Sequence, residues 1–261
     1  MPTAVPDDPS RHLPLRGVRN ARDLGGYRTS DGRAVRWGRI YRSGALGEAT
    51  ALDMALLQAR GLRVVCDLRS GPERVAAPDS WLESAGIAAW GQPESEQVGD
   101  SRDLLANCIV SAEQTRAVMT QAYRQMPYVQ TAALGEVFRR LARGDAPLLF
   151  HCSAGKDRSG GAAALLLLAL GVQRETVLAD YLLSNLEFDA LCRDFLANPR
   201  HAAALQDPSR AWLPLIDADP GYLAALFDAV FARYDSIESY LEAELGIRDD
   251  ALAALRNHLL E

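Results

Sequence analysis

One stretch of the chain predicts most of the fold: His151-Cys152-Ser153-Ala154-Gly155-Lys156-Asp157-Arg158-Ser159-Gly160. Leu148-Leu149-Phe150 leads into it, and an apolar run over 162–170 leads out of it. This pattern predicts a buried strand over 147–151, a tight loop that begins at the cysteine, and a buried helix. The N–H groups of the loop and the N-terminus of the helix would converge on one point, which suits an anion.

Two residues of this loop are predicted to take part directly in catalysis. Cys152 lies at the rim of the positive field, which favours the thiolate and makes the residue a nucleophile. Arg158 can offer a planar fork of donors to the same anion. Phosphoryl transfer through a cysteinyl-phosphate is the reaction that these residue types predict. The predicted phosphate- or substrate-binding residues are Ser153, Ala154, Gly155, Lys156 and Ser159.

Lys156 is the only lysine among the 28 basic residues of the chain. A chain that otherwise uses arginine throughout keeps its one ammonium inside the predicted anion-binding loop. Because Arg158 is committed to the transferring phosphoryl group, a flexible ammonium beside it could meet a second phosphate on the same substrate.

The loop resembles the Cys-x5-Arg signature of the protein tyrosine phosphatases. Its fuller form, His-Cys-x-Ala-Gly-Lys-Asp-Arg-Ser/Thr-Gly, is similar to a bacterial and fungal branch of that family. Asn20-Ala21-Arg22-Asp23-Leu24-Gly25-Gly26 with Gly38-Arg39-Ile40-Tyr41-Arg42-Ser43 also resembles this branch, although Ala21 replaces an aromatic residue. So does Asp67-Leu68-Arg69, which is followed by Glu73 and by Pro78-Asp79. The resemblance covers most of the chain and implies a cysteine-dependent phosphatase that needs no metal and no cofactor.

The proton donor to the leaving group is expected on one of two aspartates. Asp67 ends a predicted strand, as His151 and Cys152 do, and the carboxyl ends of parallel strands meet in one crevice. The resemblance also favours Asp67. Asp157 is the alternative, although it could instead orient Arg158 or tune Lys156.

Three further residues are assigned supporting roles. Ser159, next to Arg158, is expected to hydrogen-bond the sulfur and help it leave during hydrolysis. His151 is expected to orient the loop by hydrogen bonding, and Asp23, together with Arg22, to buttress it.

The order of predicted elements indicates an α/β fold, with a central, mostly parallel, twisted sheet flanked by helices. We expect a flexible arm over 1–15 and a single phosphatase domain over 16–261, with lid helices over about 186–226. Within the domain a Ser30-Asp31-Gly32 turn and the alternating stretch over 34–41 predict a hairpin. Other patterns predict helices over 50–60 and 72–84, and strands over 62–66 and 87–90. They also predict a surface loop over 91–102 and a helical stretch over 112–142 that is broken near Pro127.

Composition limits the classes of partner. The net charge of −6 argues against nucleic acid or an anionic membrane as a bulk partner. The longest apolar run, over 160–172, is too short to span a bilayer, and the N-terminus does not resemble a signal peptide. The cysteines show no metal-ligand spacing, which favours a reducing, cytoplasmic compartment, with export by a non-classical route left open. The oligomeric state is not predicted.

Several alternatives remain at this point. The expected substrates are phosphotyrosine proteins, with phosphoserine, phosphothreonine and phosphoinositides as further classes. A non-catalytic phosphate-binding module would usually lack Cys152 or Arg158. A sulfurtransferase would not require the Gly-Lys-Asp-Arg-Ser pattern, and an arsenate reductase would want nearby resolving cysteines. Cys66 is either a buried core residue or a partner for a protective disulfide with Cys152.

Overall fold

A computed structural model describes residues 8–91, 111–201 and 206–261. The strands are β1 (Arg22–Asp23), β2 (Ile40–Ser43), β3 (Val64–Asp67), β4 (Ala88–Gly91) and β5 (Leu148–His151). They form one sheet in the order β1-β2-β5-β3-β4, in which β1 pairs antiparallel to β2 and the other neighbours are parallel. The predicted α/β class with a mostly parallel sheet is therefore confirmed.

The register of the sheet brings the predicted site together. His151 at the end of β5 lies opposite Ser43 of β2 and Asp67 of β3. Parallel strands end at the same edge of a sheet, so the segments that follow these three residues emerge side by side. The loop that begins at Cys152 therefore lies between the segments that follow β2 and β3.

The helices in chain order are α1 (Ala51–Ala59), α2 (Gly71–Ala76), α3 (Trp81–Ser84), α4 (Ala112–Val129), α5 (Thr131–Ala142), α6 (Asp157–Ala169), α7 (Arg174–Leu182), α8 (Phe188–Ala197), α9 (Pro220–Phe231), α10 (Ile237–Leu245) and α11 (Asp249–Leu259). Short 3-10 segments lie at Pro9–Arg11, Leu183–Glu187, Pro199–His201 and Leu213–Leu215. None of the helices in the described ranges is long and apolar enough to cross a membrane.

The sheet separates two apolar layers. Tyr41, Val65 and Leu149 share one register row and face the smaller layer, which contains Leu57 of α1 and Leu82 of α3. Their neighbours along the strands face the larger layer, to which α4, α5, α6 and the C-terminal helices contribute. Helix α6 is buried along nearly its whole length, as its apolar sequence predicts.

One predicted helix is divided in the structure, and one predicted helix break is present. The stretch over 72–84 forms two helices, α2 and α3, because Ala77 precedes Pro78 and takes a non-helical conformation with φ −143° and ψ 76°. The predicted break near Pro127 is confirmed, because α4 ends at Val129 and α5 begins at Thr131; Pro127 itself lies inside the end of α4. Pro127 is buried and its carbonyl accepts a hydrogen bond of 2.7 Å from Tyr240, so tertiary packing supports the helix around it.

The N-terminal segment also differs from the predicted flexible arm over the part that the structure describes. Residues 8–15 pack on the domain, where the buried guanidinium of Arg11 donates to Asp23 O at 2.8 Å and Gly25 O at 2.7 Å. It also stacks over the ring of Tyr27 at 3.8 Å. Residues 1–7 lie outside the described ranges, as does the predicted surface loop beyond Gly91. The predicted hairpin forms around the turn at residues 30–32, where Thr29 N donates to Arg33 O at 2.9 Å and Val35 N donates to Tyr27 O at 2.8 Å, and β2 begins only at Ile40.

Candidate active site

The loop from Cys152 to Lys156 connects β5 to α6. Cys152 is fully buried, and its Sγ lies 3.6 Å from Ser159 Oγ on the first turn of α6. This is the contact that the sequence predicts for Ser159. Gly155 has φ +69°, and a Cβ there would lie 2.5 Å from Gly44 N, so the loop turns tightly against the segment after β2.

Arg158 on the first turn of α6 is held by a carboxylate of α2. Its Nη1 donates to Glu73 Oε2 at 2.6 Å and its Nη2 to Glu73 Oε1 at 2.7 Å. Ser70 donates to the same carboxylate through its backbone N at 2.9 Å and its hydroxyl at 2.8 Å, and Ser153 also donates to it. Burial opposes the charge, but the hydrogen bonds from Arg158 and Ser153 hold the pKa of Glu73 well below its usual range.

Glu73 was not among the predicted site residues, although the family resemblance notes a glutamate at this place. Its local sequence, Ser70-x-x-Glu73, has the spacing of a helix capping box, and the structure forms that box. The local pattern therefore explains the helix start and gives no sign of the contact with α6.

Asp67 lies beside the loop, but a guanidinium holds both of its oxygens. Arg69 Nε lies 2.9 Å from Asp67 Oδ1, and Arg69 Nη2 lies 2.7 Å from Asp67 Oδ2. Burial opposes ionisation, but the charge of His151 and the hydrogen bonds from Arg69 lower the pKa of Asp67. The side chain is therefore held as a carboxylate.

His151 touches the same group of charges. Its Nδ1 lies 3.3 Å from Cys152 O and its Nε2 lies 3.2 Å from Asp79 Oδ2. Asp67, Asp79 and His151 each offer one ligand atom within 4.8 Å of the others. Arg69 Nη2 donates to both carboxylates at 2.7 Å, so a guanidinium already occupies the place between them. The group is therefore a buried charge network, and it does not resemble a metal centre.

Asp157 is the first residue of α6 and is mostly buried. Tyr123 of α4 donates its hydroxyl to Asp157 Oδ1 at 2.8 Å, and the hydroxyl of Tyr181 lies 2.8 Å from that of Tyr123. Burial and the charge of Asp157 raise the pKa of both tyrosines well above the usual range, so both stay protonated.

Lys156 does not extend into the opening as a flexible ammonium. The side chain is buried, and its Nζ donates to Leu215 O at 2.6 Å and Asp217 O at 2.9 Å. Its Nζ also lies 3.3 Å from Asp157 Oδ1. The one lysine of the chain therefore joins the loop to the segment that precedes α9.

The N-terminal residues that resemble the phosphatase branch, within 20–26 and 38–43, divide into two groups. Asp23 accepts hydrogen bonds from Gly25 N at 2.8 Å and Gly38 N at 2.7 Å, so it fixes the turn after β1 and lies away from the loop. Arg22 and Arg42, in contrast, bond to Asp180 of α7, and Arg42 also donates to the loop carbonyls. The predicted buttress thus comes from these arginines, and Asp23 contributes only indirectly.

A cavity of about 320 Å³ opens beside the loop. Ser153, Ala154 and Lys156 line it on the loop side. The opposite wall is apolar and belongs to the region predicted as a lid, with the side chains Leu191, Phe195, Leu215 and Ile216. Arg19 and Asp194 also line the cavity and form an ion pair of 3.0 Å that is about half exposed.

The cysteines of the described ranges, Cys66, Cys152 and Cys192, are free thiols. Cys66 lies in the larger apolar layer on β3, opposite Phe150. Burial raises the pKa of the Cys66 thiol to about 12, which is typical of an inert core cysteine.

Comparison with known proteins agrees with this geometry. A family model described as the tyrosine phosphatase family matches residues 13–261. A protein of Cupriavidus necator assigned to the tyrosine-protein phosphatases is 37% identical over 244 residues, which cover 93% of this chain and 86% of that protein. The triple specificity protein phosphatase PtpB of Mycobacterium tuberculosis is 36% identical over 198 residues, which cover 67% of this chain and 69% of PtpB. With its Cys-x5-Arg loop between strand and helix, the chain belongs to the tyrosine phosphatase family.

Proposed function

We propose that this tyrosine phosphatase hydrolyses phosphotyrosine by two successive transfers at Cys152. The observation that carries the proposal is the position of Cys152. Its sulfur lies between the loop and the start of α6, 3.6 Å from the Ser159 hydroxyl, in a loop whose arginine is fixed by Glu73. N–H groups at a helix N-terminus and an oriented guanidinium stabilise the charge that spreads over the phosphoryl oxygens.

In the first transfer, Cys152 Sγ attacks phosphorus and the S–P bond forms while the P–O bond to the phenolic oxygen breaks. Arg158 contacts the equatorial oxygens, whose charge grows in the transition state. The departing oxygen takes a proton from the Asp157 carboxyl group. In the second transfer, water attacks phosphorus and gives a proton back to Asp157. The S–P bond breaks, and the thiolate returns beside Ser159.

The contacts of the two aspartates support Asp157 as the proton donor. Asp67 is bound through both oxygens to Arg69, which holds it ionised and leaves no proton to donate. Asp157 is the first residue after the loop, at the start of α6, and accepts a hydrogen bond from the neutral hydroxyl of Tyr123. It also contacts Lys156 Nζ at 3.3 Å, an ammonium that bonds to two backbone carbonyls as well, so Asp157 is held less tightly as a carboxylate than Asp67 is. We therefore propose Asp157 as the general acid, and assign Asp67 to the support of Arg69 and His151.

The cavity supports an aromatic phosphate ester as the substrate. Its apolar wall, with Phe195 and Leu191 of α8, suits the ring of a phosphotyrosine, and a volume of about 320 Å³ accommodates that ring. This wall also supports the predicted lid over 186–226. Phosphoinositides remain a sequence-based alternative, but the ammonium of Lys156 is bound to two backbone carbonyls. A cycle that requires a reduced thiolate favours a reducing, cytoplasmic compartment.

Replacement of the nucleophile tests the proposal. Cys152→Ser should reduce turnover of phosphotyrosine peptide to below about one per cent, while inorganic phosphate still binds in calorimetry because the anion-binding loop remains. Cys192→Ser, on α8, is the matched control and should retain full turnover. Rapid quenching of the wild-type protein should trap phosphate on the Cys152 peptide. Retained turnover in Cys152→Ser, or phosphate on another residue, would contradict the covalent mechanism.

A further inference from the structure

We propose that Arg42 is a positioning residue that turns the loop carbonyls away from the substrate and adds a second positive charge, independent of Arg158, to the field at Cys152. The inference rests on the proposed thiolate mechanism. It concerns a side chain of β2 that resembles the phosphatase branch in sequence and for which the sequence predicts no role.

Hydrogen bonds fix the orientation of the loop from the β2 side. Arg42 Nη2 donates to Gly155 O at 2.9 Å and to Lys156 O at 3.2 Å. Asn20 Nδ2 donates to Gly155 O at 2.6 Å. A carbonyl oxygen directed at Arg42 is directed away from a bound oxyanion, which it would otherwise repel. The same contacts hold Gly155 in its positive-φ conformation, so the loop N–H groups are organised before substrate binds.

The charges around Arg42 do not cancel. Asp180 accepts from Arg42 Nη1 at 2.9 Å and from Arg22 Nε at 3.0 Å, and all three side chains are almost fully buried. Tyr27 adds a neutral hydrogen bond of 2.9 Å to the same carboxylate. Two guanidinium groups share one carboxylate, so this buried cluster has a net charge of +1 directly behind the loop.

The pKa of Arg42 supports the electrostatic part of the inference. Burial and the charge of Arg22 lower it to about 10, while the negative charges of Asp180 and Cys152 act in the opposite direction. Arg42 therefore stays protonated at neutral pH and is coupled to the charge on the Cys152 sulfur.

The other charged or titratable groups around the loop are Arg158 and Asp157 of α6, Lys156 of the loop, Glu73 of α2, Asp67 of β3, Arg69 after β3, Asp79 after α2, His151 of β5, Tyr123 of α4 and Tyr181 of α7. Arg158 is paired with Glu73, and Lys156 lies beside Asp157. Arg69 is shared by Asp67 and Asp79, so one guanidinium faces two carboxylates on the β3 side of the loop. The cluster of Arg22, Arg42 and Asp180 has the opposite excess, two guanidinium groups for one carboxylate, and places net positive charge on the β2 side.

The test measures the pH midpoint of Cys152 alkylation by iodoacetamide in the intact protein, followed by mass spectrometry of the Cys152 peptide. Arg42→Met should raise the midpoint by about one pH unit, since a positive charge that favours the thiolate is lost. Arg42→Lys keeps the charge but loses the forked contacts. It should keep the midpoint within about 0.3 of wild type and lower kcat/KM roughly tenfold. Exposed Arg36→Met is the matched control and should leave the midpoint unchanged.

The variant Asp180→Asn distinguishes an electrostatic effect of Arg42 on Cys152 from a structural effect on the loop. It removes the anion of the cluster, so the midpoint should fall or stay at the wild-type value. If folded Asp180→Asn raises the midpoint as Arg42→Met does, or if folded Arg42→Met leaves it unchanged, the proposal is wrong. Should Asp180→Asn fail to fold, the pair Arg42→Met and Arg42→Lys decides alone, because a merely structural role would shift both midpoints together. The midpoint requires no turnover, so its outcome is independent of the Cys152→Ser test of the covalent mechanism.

Discussion

Glu73 and Arg158 form a two-pronged ion pair, at 2.6 and 2.7 Å, across 85 residues of sequence. The pair joins the start of α6 to α2, which follows a neighbouring strand of the sheet. Since Ser70 and Ser153 also donate to Glu73, the carboxylate fixes both the plane of the guanidinium and one side of the loop. The orientation of Arg158, the proposed phosphate-binding arginine, therefore depends on a residue outside the loop.

Removal of this charge should weaken catalysis without removing the nucleophile. Glu73→Gln keeps the size of the side chain but loses the charge-assisted bonds to Arg158, which are worth about 1.5–3 kcal/mol each. We expect kcat/KM for phosphotyrosine peptide to fall about 10- to 100-fold, as measured by phosphate release. The exposed Glu83→Gln is the control and should behave as wild type. Unchanged kcat/KM in folded Glu73→Gln would show that Arg158 is oriented by other contacts.

The two aspartates should respond differently to the leaving group. Asp157→Asn should slow hydrolysis of ordinary phenyl phosphates about 100-fold or more, and that of esters with very acidic phenols much less, since those leave without a proton. Asp67→Asn should show similar losses for both kinds of ester, because it disturbs Arg69 and His151. The measurement is a plot of kcat against the pKa of the leaving phenol for each variant. A steep dependence in Asp67→Asn and none in Asp157→Asn would reverse the assignment.

Lys156→Ala should affect different substrate classes equally. The ammonium is bound to Leu215 O and Asp217 O, so its loss should loosen the segment that covers the cavity, whatever lies in it. We expect roughly tenfold lower kcat/KM, on the scale of one charge-assisted hydrogen bond, for both phosphotyrosine peptides and multiply phosphorylated inositides. Assays of both substrate classes on one preparation give the ratio of the two losses in kcat/KM. A loss confined to the inositides would instead show that the ammonium meets a second phosphate.

Acid should remove one contribution to stability at a site distant from the cavity. Asp53 accepts hydrogen bonds from Arg16 N at 2.8 Å and from Gly17 N and Thr50 N at 2.9 Å. Burial opposes the charge, but these backbone donors lower the pKa of Asp53. A pKa that is lower in the folded state gives stability that is present above the unfolded value of about 4 and is lost as pH falls through the folded value.

Asp53→Asn should therefore lower the free energy of unfolding by about 1–3 kcal/mol at pH 7. The gap from wild type should narrow as pH falls below about 4, where the wild-type carboxyl group becomes protonated. Urea unfolding at a series of pH values measures this gap, with the exposed Glu48→Gln as control. A gap that stays constant down to low pH would mean that the charge of Asp53 makes no contribution.

Local sequence patterns predicted the elements that depend on nearby residues. Thr50 and Asp53 form the capping box that starts α1, at the position expected from the sequence. The strand, loop and helix around Cys152 also follow their prediction. The break predicted near Pro127 occurs at Gln130, and the helix continues past the proline to Val129 because packing in the core supports it there. The predicted boundaries of an element differ from the observed ones where a tertiary contact outweighs the local preference.

The sequence by itself determined the parallel sheet and the family, and it predicted Cys152 as the nucleophile and Arg158 as the arginine clamp, because these features depend on contiguous residues whose chemistry and spacing are local. Tertiary structure alone decided which distant charges meet the loop. Glu73 reaches Arg158, Lys156 binds the carbonyls of residues 215 and 217, and Asp180 lies between two arginines. A buried charge must find a partner, but many carboxylates in the sequence could serve equally well, and only the register of the sheet and the packing of α2 and α7 select one.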